Sequence, residues 1–507
     1  MVTTGILTIL GKTKEEIEKT DELEQINLAY LSCITFSNGD ISEVELQNQL
    51  DKVFKNNGSK VLGPHDDGIL LKIIKTNRMY LISDGKVQDI SDENIDTQAM
   101  GMYIETPTIL QGNGEDNNSF KINCIEDFIV YANNPLNYQG TITLERDLDF
   151  KSATSYNDFT TTDFGDINEN GKIENLLTEL TTGKGFKPIN LYYCYESREL
   201  VIDGKSHTLK NLYINRNGYV GIFSELNDSH QRTTLKNLAI TGDITSIDGS
   251  AGALIGRQYG TNLCLYKIYN FANVTGYNCA AGFVGICQGN ASVDPTFDIN
   301  FCYNRGTVTS NGMSSGLIGK HNWESYSQKI KILNSFNEGT IYGKQSSGLV
   351  GNIGNYYSPT LNIRNSYSLC EIKNVVEIGG IFFSSLSKGG GKCNVTLKNV
   401  FSLNKVENIT NKMMGVTTSM LEGTTFSPSY VYYPNTFASA TNDDDKYTGT
   451  KAMSPLDMKK QDFVNALNDN IISLNDEGFA KWFLGENGTP TLDFNTIWNG
   501  TEWVQSL

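Results

Sequence analysis

From about residue 216 the chain keeps returning to a small residue followed by two apolar ones. The members are Gly221-Ile222-Phe223, Ala253-Leu254-Ile255, Gly282-Phe283-Val284, Gly316-Leu317-Ile318, Gly348-Leu349-Val350 and Gly380-Ile381-Phe382, with Gly415-Val416-Thr417 as a weaker copy. The steps between them are 32, 29, 34, 32, 32 and 35 residues. A second motif keeps phase with the first: Asn334-Ser335-Phe336-Asn337, Asn365-Ser366-Tyr367-Ser368 and Asn399-Val400-Phe401-Ser402, with Asn211-Leu212-Tyr213 and Asn237-Leu238-Ala239 read as earlier members. A period near 30, with short apolar pairs and Gly or Asn at the corners, predicts a β-solenoid of roughly ten coils. One coil cannot enclose its own apolar face. Coils stacked about 4.8 Å apart pair their backbone groups with the next coil and bury the apolar pair in a continuous column. Gly at the anchor relieves a close approach, and Asn at a corner tolerates left-handed backbone. Helical repeats fit poorly, because Gly and Asn would interrupt every second turn of a helix.

The flanks read differently. Over residues 5–35, Leu10, Ile17, Leu23, Ile26, Tyr30 and Cys33 form a narrow apolar stripe, and Glu15 with Lys19 has the favourable i,i+4 order, so a helix is predicted. A second helix starts near Ser42, where Ser42 and Glu45 form a capping box and Ile41 can staple onto Leu46. Short strands follow at Gly68–Ile74, Met79–Ser83 and Lys86–Ile90, with Asp84-Gly85 as a turn. Residues 1–105 therefore predict a small α+β domain. Residues 106–119 read as a linker, polar throughout from Gln111 to Ser119. The first coils then occupy 120–215, the repeats 216–420, and final coils with a cap 421–507. Within that last part, 453–475 is expected as a short helix over the open end of the solenoid.

Composition narrows the function classes. Among 507 residues, 41 basic and 57 acidic side chains give a formal charge of −16. That balance argues against nucleic acid or an anionic membrane as the main partner, since both need basic patches. No run approaches 18 apolar residues and no signal-peptide pattern opens the sequence. The nine cysteines are an odd number with no C-x-x-C pair, which makes a zinc knuckle or redox motif a poor fit. Most are expected to be buried free thiols acting as small hydrophobes.

Two resemblances add to this reading. Gly5-Ile6-Leu7, the charged run from Lys12 to Thr20, Gln25-Ile26-Asn27-Leu28-Ala29 and Tyr80-Leu81-Ile82-Ser83-Asp84-Gly85-Lys86-Val87 resemble the type IV pilin-like proteins of Gram-positive bacteria. That family's cleavage site and apolar half-helix are missing before Met1. The resemblance thus implies membrane contact only through that missing helix, and other pilin subunits as partners. Ser315-Gly316-Leu317-Ile318-Gly319 and Ser347-Gly348-Leu349-Val350-Gly351 resemble the GLUG repeat of bacterial surface proteins. Leu144 to Asp149, Gly185 to Ile189 and Ile202 to Leu212 match the segment that usually precedes such repeats. Phe463 to Asn468, Trp482 and Asn487 to Leu492 match the usual tail. This second resemblance implies a right-handed parallel β-helix on an extracellular, cell-surface protein. With the first, it implies association with a pilus.

Candidate chemistry is sparse. GLUG repeats also occur in zinc peptidases that cut immunoglobulin A1, but that chemistry needs His-Glu-x-x-His. None of His65, His207, His230 and His321 precedes Glu. Gly312-Met313-Ser314-Ser315-Gly316 spells a serine-hydrolase elbow, yet Lys344-Gln345-Ser346-Ser347-Gly348 holds the same phase one repeat later, so the serines belong to a repeated corner. Paired carboxylates of a polysaccharide lyase or hydrolase could come from Asp147 with Asp149, Asp163 with Asp166, or Asp203. Asp166, Asn168 and Asn170, followed by Gly171 and Ile173, open like a calcium loop, although Leu177 stands where the bidentate acid belongs and Glu174 or Glu179 would have to replace it. Calcium is the one cofactor the sequence suggests. Tyr192, Tyr193 and Tyr195, Tyr356 and Tyr357, and Tyr430, Tyr432 and Tyr433 could form platforms for sugar or protein, or simply stack along a coil. The expected function is a structural adhesin presenting a rigid surface to a glycan or protein. An extracellular polysaccharide-cleaving enzyme and a filament subunit without its own ligand are the alternatives.

Overall fold

A computed structural model describes residues 22–30, 46, 49–50, 52–54, 59–65, 68–73, 78–83 and 86–90, and then 110–133, 135–151, 180–191, 199–227, 232–289, 295–321, 328–353, 359–383, 393–408, 412–417, 424–437, 439–441 and 447–506. The chain divides into two compact units, Met1–Ile109 and Leu110–Leu507.

In the first unit, residues 22–30 are helical and four strands form an antiparallel meander: Ser59–His65, Gly68–Ile73, Arg78–Ser83 and Lys86–Asp89. Ser83 opposes Lys86, the register of a two-residue connection. Alternation along the strands turns Leu71, Ile73, Tyr80 and Ile82 onto Ile26, Ala29, Leu46 and Leu50 in one core. The strand Ser59–His65 has no counterpart in the sequence reading: its Gly63 and Pro64 look like a turn, and its register shifts between Val61 and Gly63. The capping box at Ser42 and Glu45, and the Glu15–Lys19 pair, lie outside the described residues.

The second unit is mainly β, a parallel solenoid of about six turns rather than ten. One turn runs through strands Lys329–Leu333, Phe336–Asn337, Thr340–Tyr342, Gln345–Ser347 and Val350–Ile353, each pairing in parallel with its counterpart in the neighbouring turns. The repeat spacing read from the sequence is the spacing of the turns. Phe223 opposes Ile255, then Val284, Ile318, Val350 and Phe382 follow in one column. Their neighbours Ile222, Leu254, Phe283, Leu317, Leu349, Ile381 and Val416 are also buried and make a second column in the same core. The anchor glycines have ordinary backbone angles, so left-handed conformation is not their purpose. A Cβ on Gly348 would run into the carbonyl of Gly380 one turn on and into Ser368 Oγ, which is why the corner stays small.

Asparagine performs two jobs. Asn237, Asn334, Asn365 and Asn399 share one corner column, each in left-handed backbone, with φ of 53°, 48°, 45° and 53°. Asn365 donates to Asn334 at 2.8 Å, and Asn399 to Asn365 at 2.9 Å. Asn211 is also left-handed, but it stands outside this column: Lys236 opposes Asp203 and Leu238 opposes His207, so Gly204, Lys205 and Ser206 stand opposite Asn237 in the first turn. A second, fully buried row links Asn270 to Asn304 at 2.7 Å and Asn304 to Asn337 at 2.8 Å. Each of these three also accepts the backbone N–H two residues on, closing an Asx-type turn.

Between β-strands Phe120–Ile122 and Thr141–Leu144 the amphipathic helix Ile125–Asn133 replaces the strands of later turns. It buries Phe128 against Phe150 and Phe186. Towards the C-terminus, the helix Gln461–Leu474 and the antiparallel strands Ala480–Leu484, Pro490–Trp498 and Trp503–Gln505 form one further module. The helix does not close the end of the solenoid as expected. It lies with the small sheet along the flank, because the flank carries an outward ladder of rings: Tyr269, Tyr303, Phe336, Tyr367 and Phe401. Successive centroids are 4.4, 4.9, 4.6 and 5.1 Å apart and nearly coplanar in orientation. Phe463, Trp482 and Phe494 cover this ladder.

Candidate functional site

The site built from described residues is a polar groove of about 430 Å³ over the first turns. Its floor comes from parallel neighbours: Lys121 opposes Thr143, Thr143 opposes Asp203, and Asp203 opposes Lys236. Its wall is the segment expected as a linker. Asn113 N–H donates to the Asn118 carbonyl and Lys121 N–H to that of Gln111, so residues 111–119 form a tight turn against the first strand. Gly112 and Gly114 make that turn possible, with φ of 119° and 81°. Thr141 Oγ1 donates to Asp116 at 2.8 Å and ties the wall to the floor.

The groove's charges are mostly matched. Lys205 Nζ meets Glu145 Oε1 at 2.7 Å, and Lys236 Nζ meets Asp203 Oδ2 at 3.3 Å. The hydrogen bond from Lys205 holds the Glu145 carboxyl low against the opposing effect of burial, helped by Thr143. Burial pushes Asp203 up, but Asn237, the Lys205 N–H and Lys236 together outweigh it and leave that carboxyl low as well. Lys121 is exposed and makes no ion pair among the described residues; its charge reaches Glu145 only through space.

Among the described residues, the carboxylates singled out in the sequence, Asp147, Asp149 and Asp203, are occupied by structure. Asp147 takes Lys210 Nζ at 2.6 Å, the Thr208 N–H at 3.0 Å and His207 Nδ1 at 3.3 Å, and the Lys210 bond leads in holding it low. Asp149 accepts from Asn211 Nδ2 at 2.7 Å and from the Lys151 N–H. Of these three described carboxylates, only Asp203 joins the groove. Ser314 and Ser315 are fully buried; Ser314 Oγ donates to the Tyr342 carbonyl and Ser347 Oγ to Ser315 Oγ, so the elbow motif is a corner of the fold. Tyr432 and Tyr433 are buried on opposite sides of their strand, whereas Tyr430 is 39% exposed at a left-handed corner. Asp163, Asp166, Asn168 and Asn170, and Tyr192, Tyr193, Tyr195, Tyr356 and Tyr357, lie outside the described residues. No group of three or more His, Cys, Asp or Glu that could hold a metal ion occurs among the described residues.

The buried thiols and imidazole with resolved shifts are not poised as nucleophile or base either. Burial pushes the Cys279, Cys370 and Cys393 thiols up to about 12 and those of Cys287 and Cys302 higher still, which leaves them protonated and inert. Burial lowers His321 to about 4, so it stays neutral. Every carboxyl with a resolved shift among the described residues is held low: Glu145, Asp147, Asp203, Glu371 and Glu407. A glycosidase needs the opposite for its acid.

Comparison with known proteins gives distant likenesses. No protein-family model matches the chain. Halomucin of Haloquadratum walsbyi is 26% identical over 223 residues, which is 36% of this chain and 2% of halomucin, so the chain spans a small fraction of that protein's length. Among solved structures, that of a putative immunoglobulin A1 protease from Bacteroides ovatus is 17% identical and has a TM-score of 0.39, covering 75% of this chain and 94% of the other. At that TM-score the likeness carries no argument.

Proposed function

We propose that this is an extracellular, surface-displayed adhesin whose solenoid holds a binding surface for a glycan or protein. The observation that carries this reading is the pairing of a stiff, continuously bonded scaffold with the commitment of Glu145, Asp147, Asp149 and Asp203 to lysine or asparagine partners. Such a surface is fixed in shape, and its Glu145, Asp147 and Asp203 carboxyls are held low rather than raised as a general acid would be. The partial match to halomucin, a mucin by its name, fits a setting outside the cell. Within the same reading the repeats are of the GLUG type, wound right-handed as β-crossover-β connections almost always are. The N-terminal unit is a pilin-like base that joins other pilin subunits at a pilus, and Asp166, Asn168 and Asn170 hold calcium.

The test is a glycan array probed with the full chain, followed by chromatography of each retained glycan after overnight incubation. Retention with the glycan recovered intact is expected. Shortened or unsaturated products would replace this reading with a polysaccharide-cleaving enzyme.

A further inference from the structure

The groove over the first turns has a composition that selects among glycans. Asp116, Asn117, Asn118, Ser119, Thr141 and Thr143 supply amides, hydroxyls and a carboxylate, and no aliphatic or aromatic side chain lines it. A peptide would find no pocket for an apolar anchor there. A polyol would find many partners, since carboxylates and amide carbonyls accept from sugar hydroxyls while Asn and Lys donate to them. The size falls within the range of small-ligand clefts.

The charge pattern goes further. Of the three ammonium groups lining the groove, Lys205 is engaged by Glu145 and Lys236 by Asp203. Lys121 alone has no carboxylate at ion-pair distance among the described residues, and it stands on the first strand, exposed and bridged by the wall through Gln111. Its side chain is therefore the one uncompensated cation facing the cavity. Fixed carboxylates at Asp116 and Asp203 would repel a densely charged ligand such as a phosphate cluster. We infer that the groove binds an acidic saccharide, a sugar carrying a single carboxylate among many hydroxyls, with Lys121 pairing the carboxylate and Asn117, Asn118, Thr141 and Asp203 taking the hydroxyls. This rests on the adhesin reading and specifies its ligand class.

The experiment is calorimetric titration of the full chain with sialyllactose and tetragalacturonate, and with lactose and cellotetraose as their uncharged counterparts. One acidic sugar should bind, and its affinity should fall at least tenfold in Lys121→Met, hold within threefold in Lys121→Arg and weaken with added salt. Lys121 is exposed, and unchanged melting of both variants would confirm that folding is intact. Equal affinity of wild type and K121M, tighter binding of the uncharged sugars, or no binding of either acidic sugar would overturn the inference. Retention of other glycans on the array, undiminished in K121M, would do so while leaving the adhesin reading in place.

Discussion

Asn365 shows how much a single side chain can hold in this fold. It sits in left-handed backbone, donates to Asn334 Oδ1 and to the Ala480 carbonyl, and accepts from Asn399 and from Trp482 Nε1 at 2.7 Å. All four bonds are inside the protein, where an orphaned partner is costly. His321 is a fully buried imidazole kept neutral by burial. Its ordinary value is 6.5 and its folded value about 4, so between those limits the unfolded chain binds more protons than the folded one. The stability it contributes is therefore complete above about pH 6.5 and is lost as pH falls towards 4. The full loss is roughly 3 kcal/mol. Denaturant unfolding from pH 7 to 4.5 should show that slope, and His321→Leu should flatten it. The carboxyls held low add their losses only further down, below their ordinary range.

At the scale of elements, the C-terminal module decides what the solenoid flank looks like. Arg364 and Lys398 both reach Asp476, and Tyr367 Oη shares a hydrogen bond with Thr491 Oγ1 at 2.9 Å. With Trp482 and Phe463 these contacts fasten several consecutive turns to one piece of chain. Removing residues 455–507 should uncover Phe336, Tyr367 and Phe401, raise binding of a hydrophobic dye at least severalfold and lower the melting temperature. Unchanged dye binding would mean the ladder is covered by something else. The turns themselves were readable because each apolar pair, and the corner asparagine from Asn334 to Asn399, recurs at the pitch of one coil, so local sequence and three-dimensional neighbour coincide. The groove was not readable. Lys121, Thr143, Asp203 and Lys236 come together through parallel pairing across more than a hundred residues, and Thr or Lys on an outward strand face is ordinary composition. The wall, Gln111 to Ser119, looked like a spacer because its stability comes from backbone bonds and two positive-φ glycines rather than from apolar burial. The helix Gln461–Leu474 was visible from Phe463, Val464 and Leu467, but its docking place was not, since the ring ladder it covers belongs to the other motif.

Across the whole molecule, stability is a sum of turn-to-turn contacts, because each turn touches mainly its two neighbours. The interior turns between Ala253 and Val416 bury two apolar columns and the Asn270–Asn304–Asn337 row, whereas the first turns carry the exposed groove. Hydrogen exchange should therefore be slowest for backbone amides of Ile255, Val284, Ile318 and Val350, and faster by at least tenfold for those of Phe120–Ile122. Uniform protection along the solenoid would show that the molecule opens as a single cooperative block instead.

The flank-bound module also follows, in chain order, the turns it fastens. During synthesis those turns emerge before the stretch that clasps them, with the faces of Tyr367 and Phe401 still bare. Docking of the stretch from Gln461 to Gln505 is thus the step that takes those rings out of water.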